Sequence, residues 1–298
     1  MNMTRAAEEA HVTPSAFSIQ IKQLSEGLGL PLHEQAGKRL FLTEAGRAVA
    51  AASRDMLERL DHLGMELAEM QGLKRGCVRV AMITTAKYFA TSLIGDFCRA
   101  YPEAEFVLEV VNREQILERM RFNLDDLYIM GRAPEGLDVV ATPFAENPLV
   151  VLAPAGHALC DARAIRPSRL EGEPFILREP GSGTRQATER YFSEHRIRPS
   201  ARMTLGSDET IKQAVAAGLG LAVLSRHVLT LDPEGGPLRE LDVQGFPILR
   251  RWYVVHLADK RLSPLARAFL KLLEDSRPVR LERDAAPSGP SDSKRRTP

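Results

Sequence analysis

The sequence predicts an α/β protein preceded by a small helical head and one long helix. Three observations carry that reading. The stretch TRAAEEAHVTPSAFSIQIKQL (4–24) reads as two short helices joined by a tight turn. Residues 44–73 carry an apolar repeat of seven. Beyond residue 76, apolar strands alternate with helical stretches, the signature of parallel βαβ units.

In the head, residues 4–10 have helix-forming composition, with Ala6, Ala7 and Ala10 as a small-residue face. His11-Val12 makes the turn. Thr13 is a good N-cap, and Pro14 stands at the first helical position, where its missing N–H costs nothing. Ala16, Phe17, Ile21 and Leu24 share one helical face, and Gly27 and Gly29 end the helix. Residues 30–42 read as an extended segment with a turn at Ala36-Gly37, the outline of a wing whose tip carries Lys38 and Arg39. Thr43 and Glu44 then open the long helix. Val49, Met56, Leu63 and Met70 recur every seven residues, and Leu60 and Leu67 fill the intermediate position that Ser53 interrupts. That 3-4 spacing predicts a dimerisation seam of the coiled-coil kind.

Residues 71–76 read as a linker. Strands are expected at 77–83, 105–111 and 125–131, with helices at 89–100 and 113–122 between them. LVVLAP (149–154) and WYVVHL (252–257) are further strands. They bracket a second α/β set containing EPFILRE, the PGSGTR loop, a helix over 185–195 and SDETIKQAVAAGLGLAVLS. An amphipathic helix follows at 263–275, and residues 277–298, rich in Pro, Ser, Arg and Asp, are expected to be a disordered tail.

Composition narrows the function. The chain of 298 residues is long enough for two or three domains. Lys+Arg of 40 against Asp+Glu of 39 excludes a strongly basic nucleic-acid coat but leaves room for a small DNA-binding head. Cys77, Cys98 and Cys160 are too far apart for a zinc site or disulfide framework and are expected to be reduced. No run of about eighteen apolar residues predicts a membrane span, and no basic region followed by an apolar core predicts a secretory signal. A cytoplasmic protein without membrane contact is expected. None of the seven histidines forms HExxH, and no GxSxG elbow is present, so no catalytic or metal-ligating residue and no enzyme is expected. The glycines of GLGLAVLS lead into a strand, which predicts a helix C-cap and tight turn and not a nucleotide loop.

Four stretches in this order and spacing resemble the LysR-type transcriptional regulators: TRAAEEAHVTPSAFSIQIKQL, GLPL followed by LTEAGRAV, NPLVVLAPAGHAL and IKQAVAAGLGLAVLS. The resemblance covers about residues 4–275. VAMITTAKYFATSLIGDFCRAYP, LEVVNREQILERM, DDLYIMGRAPEGLDVV, FAENPLVVLAP and LREPGSGTR are similar to the CbbR-type branch, which regulates Calvin-cycle (RuBisCO) operons. The resemblance implies a winged helix-turn-helix over 1–43, a dimerisation helix and hinge over 44–76, and a two-lobed periplasmic-binding-protein-like effector domain over 77–276. Lobe I would hold about 77–148 and 260–276, and lobe II about 149–259. It also implies a homodimer or homotetramer that activates carbon-fixation genes, binds promoter DNA and takes RNA polymerase as a candidate partner. No cofactor is implied beyond a small anionic metabolite, a sugar phosphate or NADPH, as effector.

Two departures from the family are visible. Members carry about twenty further residues that form the first helix of the head. Two short helices alone cannot bury a core. The head is therefore expected to be truncated, through either a misassigned start or a genuine loss. An alternative function follows, a dimerising effector-binding module that no longer binds DNA. HEQ (33–35) also stands where the family has Phe-Glu-Arg. Cations and anions cancel over residues 1–47, so DNA affinity would depend on where the cations lie and on avidity.

The candidate DNA-contacting residues are Thr13, Pro14, Ser15, Ser18, Gln20 and Lys22 of the recognition helix, with Lys38 and Arg39 of the wing. Gln20 suits adenine, and Lys38 and Arg39 suit phosphates. By analogy with the family, the effector would meet Thr84, Thr85 and Lys87 after the first strand and Arg132 at a strand end. It would also meet Arg178 with Ser182, Thr184 and Arg185, and Ser207, Asp208 and Glu209 at the next helix start. Hydroxyls and helix N-termini beside cations are good phosphate chemistry. Asn112-Arg113-Glu114-Gln115 is either a contact between lobes or subunits or a helix cap.

Overall fold

The computed structural model describes residues 3–37, 39–70, 74–230 and 236–276. Lys38, the linker residues 71–73 and the tail 277–298 lie outside the described residues. The chain divides into two compact units, Met1–Leu73 and Lys74–Pro298.

In the first unit, α1 (Met3–Glu9) and α2 (Pro14–Leu28) are joined by a turn in which His11 takes a φ of +54°. Thr13 caps α2, its Oγ1 accepting from Ala16 N at 3.2 Å, and Gly29 closes it in the left-handed conformation. Ala16, Phe17 and Ile21 are half-buried, but Leu24 at the far end of the same face remains exposed. α1 has seven residues and α2 fifteen. The wing is an antiparallel pair, β1 (His33–Ala36) and β2 (Arg39–Leu42), with Ala36 opposite Arg39. Thr43 Oγ1 accepts from Gly46 N at 3.0 Å and donates to Pro31 O at 2.6 Å, which ties the wing to the start of α3 (Glu44–Met70). Only glycine fits at 46, because a Cβ there would fall 1.8 Å from Leu32 O. Along α3, Met56, Leu60, Leu63, Leu67 and Met70 are all exposed, and Val49 is half-buried.

The second unit contains two lobes. The first is a five-stranded sheet in the order β4-β3-β5-β12-β6. Its strands are β3 (Gly76–Ile83), β4 (Ala104–Val111), β5 (Leu127–Met130), β6 (Val139–Glu146) and β12 (Arg251–Leu257). β3 runs parallel to β4 and β5, as the alternation with α4 (Lys87–Ala100) and α5 (Arg113–Arg121) leads one to expect. α8 (Pro264–Asp275) packs Leu265, Phe269 and Leu273 into one face with Phe97 and Val78, while Ile116 and Met120 of α5 cover the other.

The second lobe centres on β7 (Leu149–Pro154), flanked antiparallel by β10 (Ala222–Ser225) and β11 (Leu238–Leu241). Beside it lie the parallel pair β8 (Pro174–Arg178) and β9 (Ser200–Leu205), with α6 (Gly183–Glu194) and α7 (Asp208–Ala216). A Cβ at Gly220 would fall 2.4 Å from Pro174 O, so GLGLAVLS passes β8 where only glycine fits.

One boundary differs from the sequence reading. The strand 252–257, assigned there to lobe II, lies in the first sheet, antiparallel between β5 and β6. Its apolar run is compatible with either core, and only long-range pairing chooses the sheet. Two adjacent segments therefore cross between the lobes. Asn147 N donates to Arg250 O at 2.8 Å, and Leu149 and Ile248 exchange backbone bonds at 3.0 and 2.9 Å.

Candidate functional site

Residues from both lobes meet beside these crossings. After β3, Thr84–Ala86 forms one 3-10 turn and Lys87 opens α4. Thr85 is buried, and Thr84 turns its hydroxyl toward the second lobe. There Arg178 ends β8, 4% exposed, and its Nη2 donates to Thr84 Oγ1 at 2.8 Å. Its Nη1 donates to Asp208 Oδ1 at 2.6 Å, and its Nε and Nη2 reach the two oxygens of Glu179 at 2.8 and 3.0 Å. Arg178 is therefore neutralised by two carboxylates.

Asp208 is fully buried at the start of α7, behind the N-cap Ser207, and its Oδ2 has no hydrogen-bond partner. Burial pushes its carboxyl above the usual range, against the opposing pull of Arg178 and Lys87. The next residue, Glu209, accepts from Tyr88 Oη of the first lobe at 2.6 Å. Lys87 lies over the Tyr88 ring, 5.1 Å from its centre.

The loop 179–182 leads into α6. Ser182, buried, caps that helix through Arg185 N at 3.4 Å, and Thr184 is buried in its first turn. Arg185 is held by Glu189 at 2.7 Å and by Arg178 O at 2.9 Å. The structure thus brings Thr84, Lys87, Arg178, Asp208 and Glu209 together, with Arg185 tied to the back of Arg178. Arg132 lies with a different set of arginines and pairs with Glu135.

Asn112 forms a capping box with Gln115 at the start of α5. The same turn also touches the second lobe, since a Cβ at Gly181 would fall 2.7 Å from Glu114 Oε2. Both sequence readings of this segment, cap and lobe contact, therefore hold. Tyr88, Glu179 and Arg250 were not singled out by sequence. Arg250 lies in an irregular stretch with no motif, and no local pattern could have found it.

In the head, Thr13, Pro14, Ser15, Ser18, Gln20 and Lys22 are all exposed. Lys22 pairs with Glu26 at 3.7 Å, and Thr13 Oγ1 lies 3.1 Å from Ser15 Oγ.

Residues 1–47 match the bacterial regulatory helix-turn-helix protein of the lysR family, and residues 71–277 match the LysR substrate binding domain. The chain belongs to the LysR family. Among LysR-family relatives, a RuBisCO operon transcriptional regulator of Acidithiobacillus ferrooxidans is 49% identical over 273 residues, 92% of this chain and 88% of that one. The transcriptional activator CmpR of Synechocystis is 47% identical over 272 residues, 91% of this chain and 90% of that one. The regulatory domain of CcmR from Synechocystis PCC6803, solved in complex with 2-PG, is 47% identical with a TM-score of 0.66. That match covers 67% of this chain and 96% of the solved domain. Full-length CbnR with its target DNA, at 19% identity, shares the fold with a TM-score of 0.64 over 91% of this chain and 93% of that one. Among the described residues, no helix is long and apolar enough to cross a membrane.

Proposed function

We propose that this LysR-family chain activates carbon-fixation (Calvin-cycle) genes by binding promoter DNA through its head and responding to a small anionic metabolite held between its two α/β lobes. The observation that carries this reading is the 49% identity to a RuBisCO operon regulator over 273 residues, which include both the head and the effector domain. The solved CcmR domain with 2-PG supports a phosphorylated effector for the same fold; a sugar phosphate and NADPH are the other candidates. The effector contacts would come from Thr84, Thr85, Lys87, Arg132, Arg178, Ser182, Thr184, Arg185, Ser207, Asp208 and Glu209. An effector that prefers one lobe arrangement shifts the population toward it, and differential affinity alone can drive the signal. The exposed stripe on α3 supports assembly as a homodimer, or as a homotetramer built from such dimers.

Fluorescence anisotropy on DNA from upstream of a divergent carbon-fixation operon tests the proposal, with 2-PG, ribulose bisphosphate or NADPH added in turn. Specific binding altered by one of them is expected. Absence of specific binding under every condition overturns the DNA-regulator reading in favour of a dimerising effector-binding module.

A further inference from the structure

The guanidinium groups of Arg113 and Arg250 meet at the junction of the lobes, and among the described residues their hydrogen bonds go to no carboxylate. Arg113, at the start of α5, donates from Nη1 to Arg132 O at 2.7 Å and from Nη2 to Ala133 O at 3.3 Å. Arg250, on the crossing segment, donates from Nη2 to Gly131 O of the first lobe at 2.9 Å and from Nη1 to Gly183 O of the second at 3.1 Å. Both reach the first turn of α6: a Cβ at Gly183 would lie 3.7 Å from Arg113 Cδ and 3.8 Å from Arg250 Nη1. The Arg132 and Arg190 charges act on Arg250 as well.

The charge balance here is unlike that at Arg178. Burial first, and then Arg113, Arg132 and Arg190, push the Arg250 guanidinium down to about 10. Arg113 is lowered by the same two causes, burial and then Arg132. The acid acting on this group is Glu135, which already pairs with Arg132. Among the described residues, the bonds of Arg113 and Arg250 go to backbone carbonyls, which supply partial charge only. Each guanidinium has five N–H donors in a fork matched to carboxylate and phosphate, and two of its nitrogens are engaged here. Like charges held together in a half-buried place are costly unless an anion completes them.

We infer that Arg113 and Arg250 form the oxyanion-binding point of the effector site and take its phosphate or carboxylate, beside Arg132, whose charge Glu135 already pairs; Arg178, held by Asp208 and Glu179, lines the site without taking that charge. The inference rests on the proposed effector-responsive function and deepens it. Arg113 and Arg132 belong to the first lobe, Arg250 to the crossing, and the turn at Gly183 to the second lobe. An anion here interacts with parts of both lobes at once and so favours the arrangement that holds them together.

Isothermal titration of the full chain with inorganic phosphate at low ionic strength tests this. Wild type is expected to bind, and Arg113→Gln and Arg113→Gln/Arg132→Gln to weaken binding by about tenfold or more, the size of a lost charge-assisted contact. Exposed Arg163→Gln serves as the control and should bind as wild type. Arg250→Gln removes bonds to two carbonyls and can unfold the junction, so the Arg113 variants, checked by circular dichroism, carry the result. Failure of wild type to bind phosphate, undiminished binding by a folded Arg113→Gln, or equal weakening in Arg163→Gln (an adventitious ion only) overturns the inference. Operator binding by the same preparations is read separately: its loss with phosphate binding intact sinks the regulator reading and leaves the anion site standing.

Discussion

Arg178 of the second lobe donates a 2.8 Å hydrogen bond to the hydroxyl of Thr84 in the first, from a guanidinium that two carboxylates already hold. This bond joins the lobes through a side chain that cannot easily turn away. A hydrogen bond to a charged group contributes about 1.5–3 kcal/mol. Thr84→Val keeps the shape and removes the acceptor. It should destabilise the effector domain by roughly that amount in urea unfolding and change the effector concentration needed to shift DNA binding. Unchanged values of both would show that the bond neither supports the fold nor reports lobe position.

Asp208 yields a pH prediction. Its folded carboxyl titrates above its ordinary 3.8, chiefly because it is buried. A carboxyl raised in the fold contributes stability that is full below the unfolded value and is lost as pH rises through the folded one. Wild type should therefore lose stability relative to Asp208→Asn as pH rises from below 3.8 to neutrality. Urea midpoints of both proteins at about pH 3.5, 5 and 7 would measure the difference. A difference constant with pH would mean that burial is offset in full by Arg178 and Lys87.

The stripe on α3 should govern assembly. Leu60 and Leu67 are 64% and 50% exposed on one chain, and a buried Leu contributes about 1.5–3 kcal/mol. Leu60→Glu/Leu67→Glu should shift sedimentation toward monomer and weaken operator binding through lost avidity. A variant that sediments as wild type would move the interface elsewhere.

The proposed DNA contacts of Gln20 and Lys22 differ in kind. Lys22→Ala should weaken binding on all sequences alike and reduce the salt slope by about one. Gln20→Ala should cost about 1–3 kcal/mol on the preferred sequence and little on others. Anisotropy on operator and scrambled DNA over a salt series distinguishes them. Equal losses from Gln20→Ala on both DNAs would exclude a base contact.

Local chemistry in the sequence determined where several helices begin. Thr13, Thr43, Ser182 and Ser207 cap helices where a hydroxyl precedes a helical run, and the heptads of α3 mark its exposed seam. Those rules act over a few residues, so they are visible in one dimension. Tertiary structure decided which sheet β12 joins, because strand pairing is a long-range choice that an apolar run does not encode. It also decided the balance of charge at the lobe junction. Arg178 was legible as a cation beside a Gly/Ser loop, but its neutralisation depends on Asp208, thirty residues away. Arg250 carried no motif, and its convergence with Arg113 and Arg132 follows from the crossing segment that brings it between the lobes. Charge is a property of a residue, whereas its compensation belongs to the space around it.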